Sequence, residues 1–286
     1  MRRVSFQGEL GAFSELAIYG FFGSDVEVVP KETFADIFAA VERKDVDNGI
    51  IPIENSLAGS IHENYDLLLE HNLVITGEVK LRIVHNLIVN KGVDISAIKR
   101  IYSHPQALYQ CKDFLSTLKG VELVSVYDTA GAARKVKTSG SMEEAAIASE
   151  QAARDYNLEI IRRGIESNHK NFTRFLILSR ELNKQVENSK TSIVFATKNI
   201  PGALYKSLSV FALRDIDLYK IESRPLLGSP WEYIFYIDFG GDIRQTVSKK
   251  AISHLKEIAR FFKFLGSYPK GREVLEQIQK RQNRQG

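Results

Sequence analysis

The chain has 286 residues, of which 44% are hydrophobic, and its 39 lysines and arginines against 35 aspartates and glutamates give a formal charge of +4. Both signs of charge are scattered, which argues against a nucleic-acid-binding protein, and no apolar run is long enough to cross a bilayer. The single cysteine, Cys111, excludes an intrachain disulfide framework, and the strand-like start at Val4 leaves no room for a signal peptide, so we expect a cytosolic protein.

Up to about Arg180, short β-rich runs alternate with helix-like segments, which predicts an α/β fold built on mostly parallel sheets. Within the run from Val74 to Val89, the charged residues Glu78, Lys80 and Arg82 alternate with apolar residues. We therefore expect a strand with one solvent-exposed face, which crosses between two lobes. The predicted strands are Val4–Gln7, Val26–Val29, Asn48–Ile53, Val74–Val89, Arg100–Ser103, Leu123–Val126, Ala145–Ala148 and Arg174–Leu178.

Helices are predicted between these strands because apolar residues recur there at helical spacing. Cys111 falls on such a stripe, so we interpret it as a core residue and not as a nucleophile. The two stripes are Phe34, Ile37, Phe38 and Val41, then Leu108, Cys111, Leu115 and Leu118.

A polar segment without apolar periodicity, 182–190, is the predicted linker between two domains, 1–181 and 191–270, and a basic tail covers 271–286. The second domain has the predicted order βαββαβ, which is the ferredoxin-like unit. Its elements are strand Thr191–Thr197, helix Gly202–Arg214, strands Leu218–Ser223 and Tyr233–Phe239, helix Thr246–Phe262 and strand Phe264–Tyr268.

Three strand-to-helix turns carry polar residues: Gln7–Glu15, Ser103–Gln106 with Ser103 as a candidate N-cap, and Asp128–Ala130. Helix starts present unpaired N–H groups and a positive dipole end, so their convergence would create a site for a small carboxylate. The alternative is that these residues only cap their helices, as in every α/β protein.

Several common catalytic motifs are absent, including the glycine patterns of nucleotide-hydrolysing and dinucleotide-binding proteins and the serine-esterase elbow. The segment His62–Asp66 starts like a zinc-protease helix, but Asp66 stands where the second histidine ligand is needed. We therefore expect no metal.

The amino-acid sequences of five segments, in this order along the chain, resemble those of prephenate dehydratase. Two later segments, Gly202–Leu204 and Glu222–Pro225, are similar to the signature segments of the phenylalanine-binding ACT domain that follows the catalytic domain in that family. The five segments are Ile51–Ser56 with Gly59, Ser103–Gln106, Asp128–Ala130, Ala146–Ser149 and Asn171–Phe175.

This resemblance implies a catalytic domain of two α/β lobes, similar to type II periplasmic binding proteins, with the active site in the cleft between them. It also implies decarboxylative dehydration of prephenate to phenylpyruvate without a metal or organic cofactor. No helical chorismate mutase segment precedes the similarity, so we expect a monofunctional enzyme. The same elimination on arogenate, or a non-catalytic sensor of aromatic metabolites, stays as an alternative.

By the same resemblance, Thr173 is the proton donor or hydrogen-bond partner at the leaving hydroxyl. Strand alternation predicts that Thr173 and Phe175 face one side and Arg174 the other, so Arg174 either binds a substrate carboxylate or braces the cleft through a salt bridge. His104 either binds an anion or caps its helix, and Glu54 orders its loop. The other residues expected to bind substrate oxygens are Asn55, Ser56, Ser103, Thr129 and Ser149.

The resemblance further implies that L-phenylalanine inhibits the enzyme from the second domain, at an interface in a homodimer or homotetramer. The alternative for Gly202 and Pro225 is that they are merely turn residues. The residues expected to bind the effector are Gly202, Ala203, Leu204, Glu222, Ser223, Arg224 and Pro225.

Overall fold

The computed structural model describes residues 1–184, 188–226, 232–271 and 273–274. Its strands are β1 (Arg2–Gln7), β2 (Val26–Lys31), β3 (Asn48–Asn55), β4 (Gly59–Ser60), β5 (Val74–Arg82), β6 (Asn86–Val89), β7 (Arg100–Ser103), β8 (Glu122–Ser125), β9 (Glu144–Ala148), β10 (Glu159–Arg162), β11 (Phe172–Ser179), β12 (Ser189–Thr197), β13 (Leu218–Pro225), β14 (Tyr233–Gly240) and β15 (Ala259–Pro269). Its helices are α1 (Phe13–Phe22), α2 (Phe34–Glu42), α3 (His62–Glu70), α4 (Pro105–Gln110), α5 (Lys112–Leu115), α6 (Thr129–Ser139), α7 (Glu150–Asp155), α8 (Ala203–Ala212) and α9 (Thr246–Ile258).

The first sheet has the order β2-β1-β3-β11-β5, with the short β4 paired to β3. Strand β1 runs parallel to both β2 and β3, as alternation of strands and helices requires. The second sheet has the order β10-β6-β9-β7-β8, in which β7 is parallel to β8 and β9 while β6 is antiparallel to β9 and β10. These two sheets are the two predicted α/β lobes.

The predicted strand from Val74 to Val89 is broken in the structure. Its first part, β5, belongs to the first sheet and its second part, β6, to the second, so the segment crosses between lobes as expected but is not continuous. The break occurs because the connecting backbone finds other partners: Ile83 N–H donates to the Asn171 carbonyl at 2.8 Å and His85 N–H donates to Glu166 Oε2 at 3.0 Å.

Cys111 lies in the core of the second lobe, as predicted from its helical stripe. Its side chain is fully buried among apolar residues such as Leu87, Ile101 and Ile147. Burial raises the pKa of the Cys111 thiol to about 12, so the thiol stays protonated at neutral pH. This cysteine therefore contributes packing and not nucleophilic chemistry.

The third sheet is antiparallel, with the order β13-β14-β12-β15, and α8 and α9 contribute to its core. The chain order βαββαβ confirms the predicted ferredoxin-like unit. One predicted boundary is wrong: α9 ends at Ile258, whereas the apolar spacing extends it to Phe262. Phe262 belongs to β15, where it pairs with Phe195 of β12, because the long β12 offers backbone partners from Ala259 onward.

The described residues divide into two compact units, Met1–Asn64 with Val79–Phe175, Glu273 and Val274, and Tyr65–Glu78 with the described part of Leu176–Gly271. The predicted domain boundaries at 181 and 191 stay a prediction. Linker residues 185–187 and all of the basic tail except Gly271, Glu273 and Val274 lie outside the described residues. In the part of the chain that the structure describes, no helix is long and apolar enough to cross a membrane.

Within the second unit, residues Tyr65–Glu78 are bound to the βαββαβ elements by polar contacts. Lys190 Nζ and Glu78 form a buried ion pair at 2.9 Å, and Arg224 Nη2 donates to Asp66 Oδ2 at 2.6 Å. Separating the two partners of a buried ion pair would leave an uncompensated charge. The Lys190–Glu78 pair therefore holds the Tyr65–Glu78 segment against β12.

Candidate active site

A cavity of about 420 Å³ lies within the first unit, where several elements begin or end around one space. The first residues of α1, α4 and α6 line it, together with the end of β3 and the start of β11. The three helix starts singled out in the sequence therefore converge, as the carboxylate-site hypothesis requires. Helix α1 begins after Ala12 with no side-chain cap, which leaves N–H groups of its first turn available to an anion.

Asn55, at the end of β3, is held in one orientation by the turn that follows it. Its Oδ1 accepts hydrogen bonds from the backbone N–H groups of Leu57 at 3.0 Å and Ala58 at 2.9 Å. The amide nitrogen must therefore point the other way, where it donates to Asn171 Oδ1 at 2.8 Å and to Thr173 Oγ1 at 2.9 Å.

Thr173 lines the cavity and is 8% exposed. Because its Oγ1 accepts from the Asn55 amide, its own hydroxyl hydrogen is directed to another acceptor. The site thus presents a hydroxyl that donates, placed at the start of β11. Phe175 lines the same cavity and Arg174 does not, which confirms the alternation predicted for this strand.

A chain of amide groups continues from Asn171 and was not predicted from the sequence. Asn171 Nδ2 donates to Gln110 Oε1 at 3.0 Å, and His85 Nε2 lies 2.9 Å from the same oxygen. The Gln110 Oε1 atom is an acceptor, so His85 donates from Nε2 and carries a lone pair on Nδ1. Gln110 Nε2 has no acceptor among the described residues and is left to donate to a ligand.

The sequence contains a signal for Gln110. This residue stands four positions after Gln106, one helical turn along α4, and both glutamines line the cavity. The Ser103–Gln106 motif ends one turn too early to include it, so the resemblance alone does not indicate Gln110.

The two histidines at the cavity are neutral at physiological pH. Burial lowers the pKa of His85, and burial likewise lowers the pKa of His104, although the Asp128 charge acts against it there. His104 caps α4, since its Nδ1 accepts from the Gln106 N–H at 3.2 Å. The structure thus supports the capping alternative for His104 and corrects the predicted cap, which was Ser103.

Three serines expected at the substrate do not line this cavity, because backbone groups already occupy their hydroxyls. Ser56 donates to the Lys170 carbonyl at 2.9 Å, and Ser103 donates to the Ile147 carbonyl at 2.7 Å. Ser149 donates to the Gly11 carbonyl at 2.6 Å and accepts from the Ala152 N–H at 2.9 Å, so it caps α7. Their predicted contacts with substrate are not supported by these positions.

Arg174 has two predicted roles, to bind substrate or to brace the cleft. Its guanidinium lies 3.1 Å from Glu54 Oε1, and its side chain is 8% exposed. This ion pair favours the bracing alternative and explains how Glu54 orders its loop. Thr129 and Asn55, by contrast, line the cavity as expected.

The two groups of predicted effector residues lie at one end of the third sheet. Ala196, just before the loop that leads to Gly202, pairs with Ile234, and Arg224 pairs with the same Ile234. Gly202 is the N-cap of α8, so Ala203 and Leu204 open that helix. The fold therefore brings together two segments that are separate in the sequence, without demonstrating a ligand.

Residues 4–183 match the family model of prephenate dehydratase. Over 278 residues the chain is 48% identical to arogenate dehydratase/prephenate dehydratase 2, chloroplastic, of Arabidopsis thaliana, and the match covers 93% of this chain and 72% of that protein. The chain belongs to the prephenate dehydratase family. It is a dehydratase of this family, which makes it a carbon–oxygen lyase.

Two solved structures are similar to this chain over almost its full length. The prephenate dehydratase of Arthrobacter aurescens in complex with L-Phe has a TM-score of 0.86 at 30% identity, covering 93% of this chain and 90% of that one. GqqA, described as a novel type of quorum quenching acylase, has a TM-score of 0.87 at 35% identity, covering 94% and 98%. The predicted α/β fold class is confirmed.

The predicted cytosolic location is wrong by the same comparison. Three Arabidopsis thaliana relatives, arogenate dehydratase/prephenate dehydratases 2, 1 and 6, are named chloroplastic. The single cysteine is compatible with any reducing compartment, so it could not distinguish the cytosol from a plastid.

Proposed function

We propose that prephenate binds in the cavity at Thr173, which donates to the ring hydroxyl as it leaves. The observation that carries this proposal is the Asn55 amide, which donates to Thr173 Oγ1 and so turns the threonine proton outward. In this proposal, residues 1–181 form the catalytic domain and residues 191–270 an ACT regulatory domain.

The reaction breaks two bonds and takes up one proton. The bond from the ring carbon to its carboxylate breaks and releases carbon dioxide, and that electron pair enters the ring. The carbon–oxygen bond to the hydroxyl breaks at the opposite ring position, and the oxygen leaves as water with the proton delivered through Thr173, which solvent replaces. Hydroxide is a poor leaving group, so this proton is the main requirement of the step.

The lining of the cavity suits the loss of a carboxylate. Of the described residues that line it, none is a lysine or an arginine, while Phe13, Pro52, Ile83 and Phe175 supply apolar surface. A cation beside the departing carboxylate would hold its charge and oppose the flow of electrons into the ring. The second carboxylate, which stays in the product, has the uncapped first turn of α1 as its binding place.

The experiment that tests the proposal is a parallel turnover assay on prephenate and arogenate, in which release of phenylpyruvate and phenylalanine is followed. Turnover of prephenate supports the proposal. A folded protein that converts neither substrate would leave the aromatic-metabolite sensor as the better hypothesis.

Arogenate is the second candidate substrate, and one residue favours it. Asp128 lines the cavity, and while its Oδ1 accepts from the Gly131 N–H to cap α6, the carboxylate still carries a negative charge. That charge would attract the ammonium group of arogenate, which replaces the ketone of prephenate, while both substrates carry the same two carboxylates.

An Asp128→Asn variant is expected to shift preference toward prephenate by about fivefold in kcat/KM, because asparagine keeps the helix cap and removes the charge. The measurement is kcat/KM on both substrates, with the exposed Asp113→Asn as a matched charge control. Unchanged constants for both substrates would show that Asp128 does not face the substrate side chain.

An acylase function like the one described for GqqA is not favoured by this cavity. A hydrolytic nucleophile needs a neighbouring base that accepts its proton. Among the described residues, the group bonded to Thr173 Oγ1 is the Asn55 amide, which donates and cannot accept.

Regulation by L-phenylalanine is part of the proposal, with the effector at the end of the third sheet that holds Gly202–Leu204 and Glu222–Pro225, at an interface between copies of a homo-oligomer. Arg224 is the cation of this set, and its present partner is Asp66. An effector carboxylate would compete with Asp66 for the guanidinium.

An Asp66→Asn variant is therefore expected to be inhibited at about threefold lower phenylalanine concentration, because the competing carboxylate is gone. Inhibition curves on wild type, Asp66→Asn and the exposed control Glu63→Gln measure this. Equilibrium dialysis that finds no phenylalanine on the wild-type protein would refute the regulatory part alone.

A further inference from the structure

A second cavity, of about 460 Å³, lies in the first unit on another side of α1. One face of α1 forms a wall with Phe13, Leu16 and Tyr19, which recur every third residue along the helix. Glu150 and Arg154 of α7 line the cavity as well. The proposed reaction uses none of these residues except Phe13, which lines both cavities.

Positive charge exceeds negative charge in this cavity. Of the described residues that line it, Arg82, Arg154 and Arg163 carry guanidinium groups and Glu150 carries the one carboxylate. Glu150 forms ion pairs with two of these arginines: Arg154 Nη2 lies 2.8 Å from its Oε1, and Arg163 Nη1 lies 3.2 Å from its Oε2.

Arg82 is incompletely satisfied. Its Nη2 is 3.4 Å from Glu166 Oε1, which is long for an ion pair, and its Nε is buried without a hydrogen-bond partner in the described part of the chain. The buried Nε is closed to a ligand, so the exposed part of the guanidinium, on a side chain that is 32% exposed, is what a ligand carboxylate can reach. With three guanidinium groups and one carboxylate in its lining, the cavity favours an anion.

The remaining lining is apolar, including Phe13, Leu16, Leu81 and Val84. A ligand that satisfies both parts carries a carboxylate for the arginines and an apolar body for the α1 wall. We propose that this cavity binds a small aromatic carboxylate, such as an aromatic keto acid or an aromatic amino acid, at a site separate from the catalytic cavity.

Short side-chain contacts connect the second cavity to the catalytic cavity. The Phe13 ring meets His85 edge-on, with ring centroids 5.5 Å apart, and His85 bonds to Gln110. Ser149, which also lines the second cavity, donates to the Gly11 carbonyl just before α1. A bound ligand would therefore contact both α1 and α7 where they are already joined.

The test is calorimetric titration of the whole protein with 3-phenylpropanoate, which has neither ketone nor ammonium and cannot be turned over. Arg163→Gln is expected to weaken binding about fivefold, and Glu150→Gln to tighten it about threefold because the competing carboxylate is removed. Both side chains are largely exposed, so neither change endangers the fold. The matched control is Arg162→Gln, an exposed neighbour that does not line the cavity.

Opposite shifts for the two variants, with the control unchanged, support the site. If 3-phenylpropanoate binds only in the catalytic cavity, all three variants keep the wild-type affinity and the proposal fails. Equal weakening by Arg163→Gln and Arg162→Gln would also overturn it, since it would indicate general charge attraction.

Discussion

A Thr173→Ala variant is expected to lose about 10³-fold in kcat on prephenate, because positioned proton donors contribute about 10² to 10⁴ to such steps. The substitution removes the hydroxyl that donates, together with the Cγ2 methyl group, and keeps Cβ on the strand. Thr173→Ser keeps the hydroxyl and the Asn55 bond, so its kcat should stay within about tenfold of wild type. The measurement is initial-rate release of phenylpyruvate, with thermal melts to establish folding.

Asn55→Asp provides a separate check on the direction of the hydrogen bond. A carboxylate at this position accepts from the Thr173 hydroxyl and turns its proton away from the substrate, so we expect a loss similar to that of Thr173→Ala. A folded Thr173→Ala enzyme with near-normal turnover would remove Thr173 from the mechanism. Normal turnover of Asn55→Asp would refute the orientation argument and leave the threonine assignment standing.

A Gly11→Ala variant is expected to lose roughly 2–4 kcal/mol of the free energy of unfolding, from backbone strain combined with overpacking. Gly11 has a φ of +89°, and a Cβ added there would lie 2.6 Å from the Ala152 Cα atom and 2.8 Å from its Cβ. The loop before α1 thus approaches α7 too closely for any side chain. Chemical denaturation with the linear extrapolation method measures the loss.

Gly92→Ala is the matched control because its φ is +84° and nothing lies within 4 Å of the added Cβ. It carries the backbone strain without the clash, so it should cost only about 1 kcal/mol. If the two variants lose the same free energy of unfolding, the close approach of Gly11 to Ala152 contributes nothing to the loss in Gly11→Ala. A third variant, Ser149→Ala, removes both the hydrogen bond to the Gly11 carbonyl and the side-chain cap of α7, and leaves Gly11 unchanged.

Much of the fold could be predicted from the sequence because local patterns agree with the tertiary structure. Strand alternation placed Thr173 and Phe175 on the cavity side, and helical spacing placed Cys111 in the core. The βαββαβ order predicted the third sheet for the same reason: each amphipathic face has one sheet to cover.

The failures share a physical cause, which is that partners distant in the sequence decide the outcome. Ser103 and Ser149 look free in the sequence, but their hydroxyls bond to carbonyls 44 and 138 residues away. The predicted end of α9 is misplaced because β12 competes for the backbone after Ile258. No local pattern contains such partners, so neither the serine roles nor this boundary could be read from the chain alone.

The position of β11 has a consequence for the order in which the protein becomes active during synthesis. β11 lies between β3 and β5 in the first sheet, yet the whole second lobe is encoded between β5 and β11. On the ribosome, the second lobe is complete while β3 and β5 still lack their shared neighbour and expose strand edges. Thr173 emerges with the strand that fills this gap, so a nascent chain acquires the hydroxyl that we propose as the proton donor in the same step that completes its first sheet.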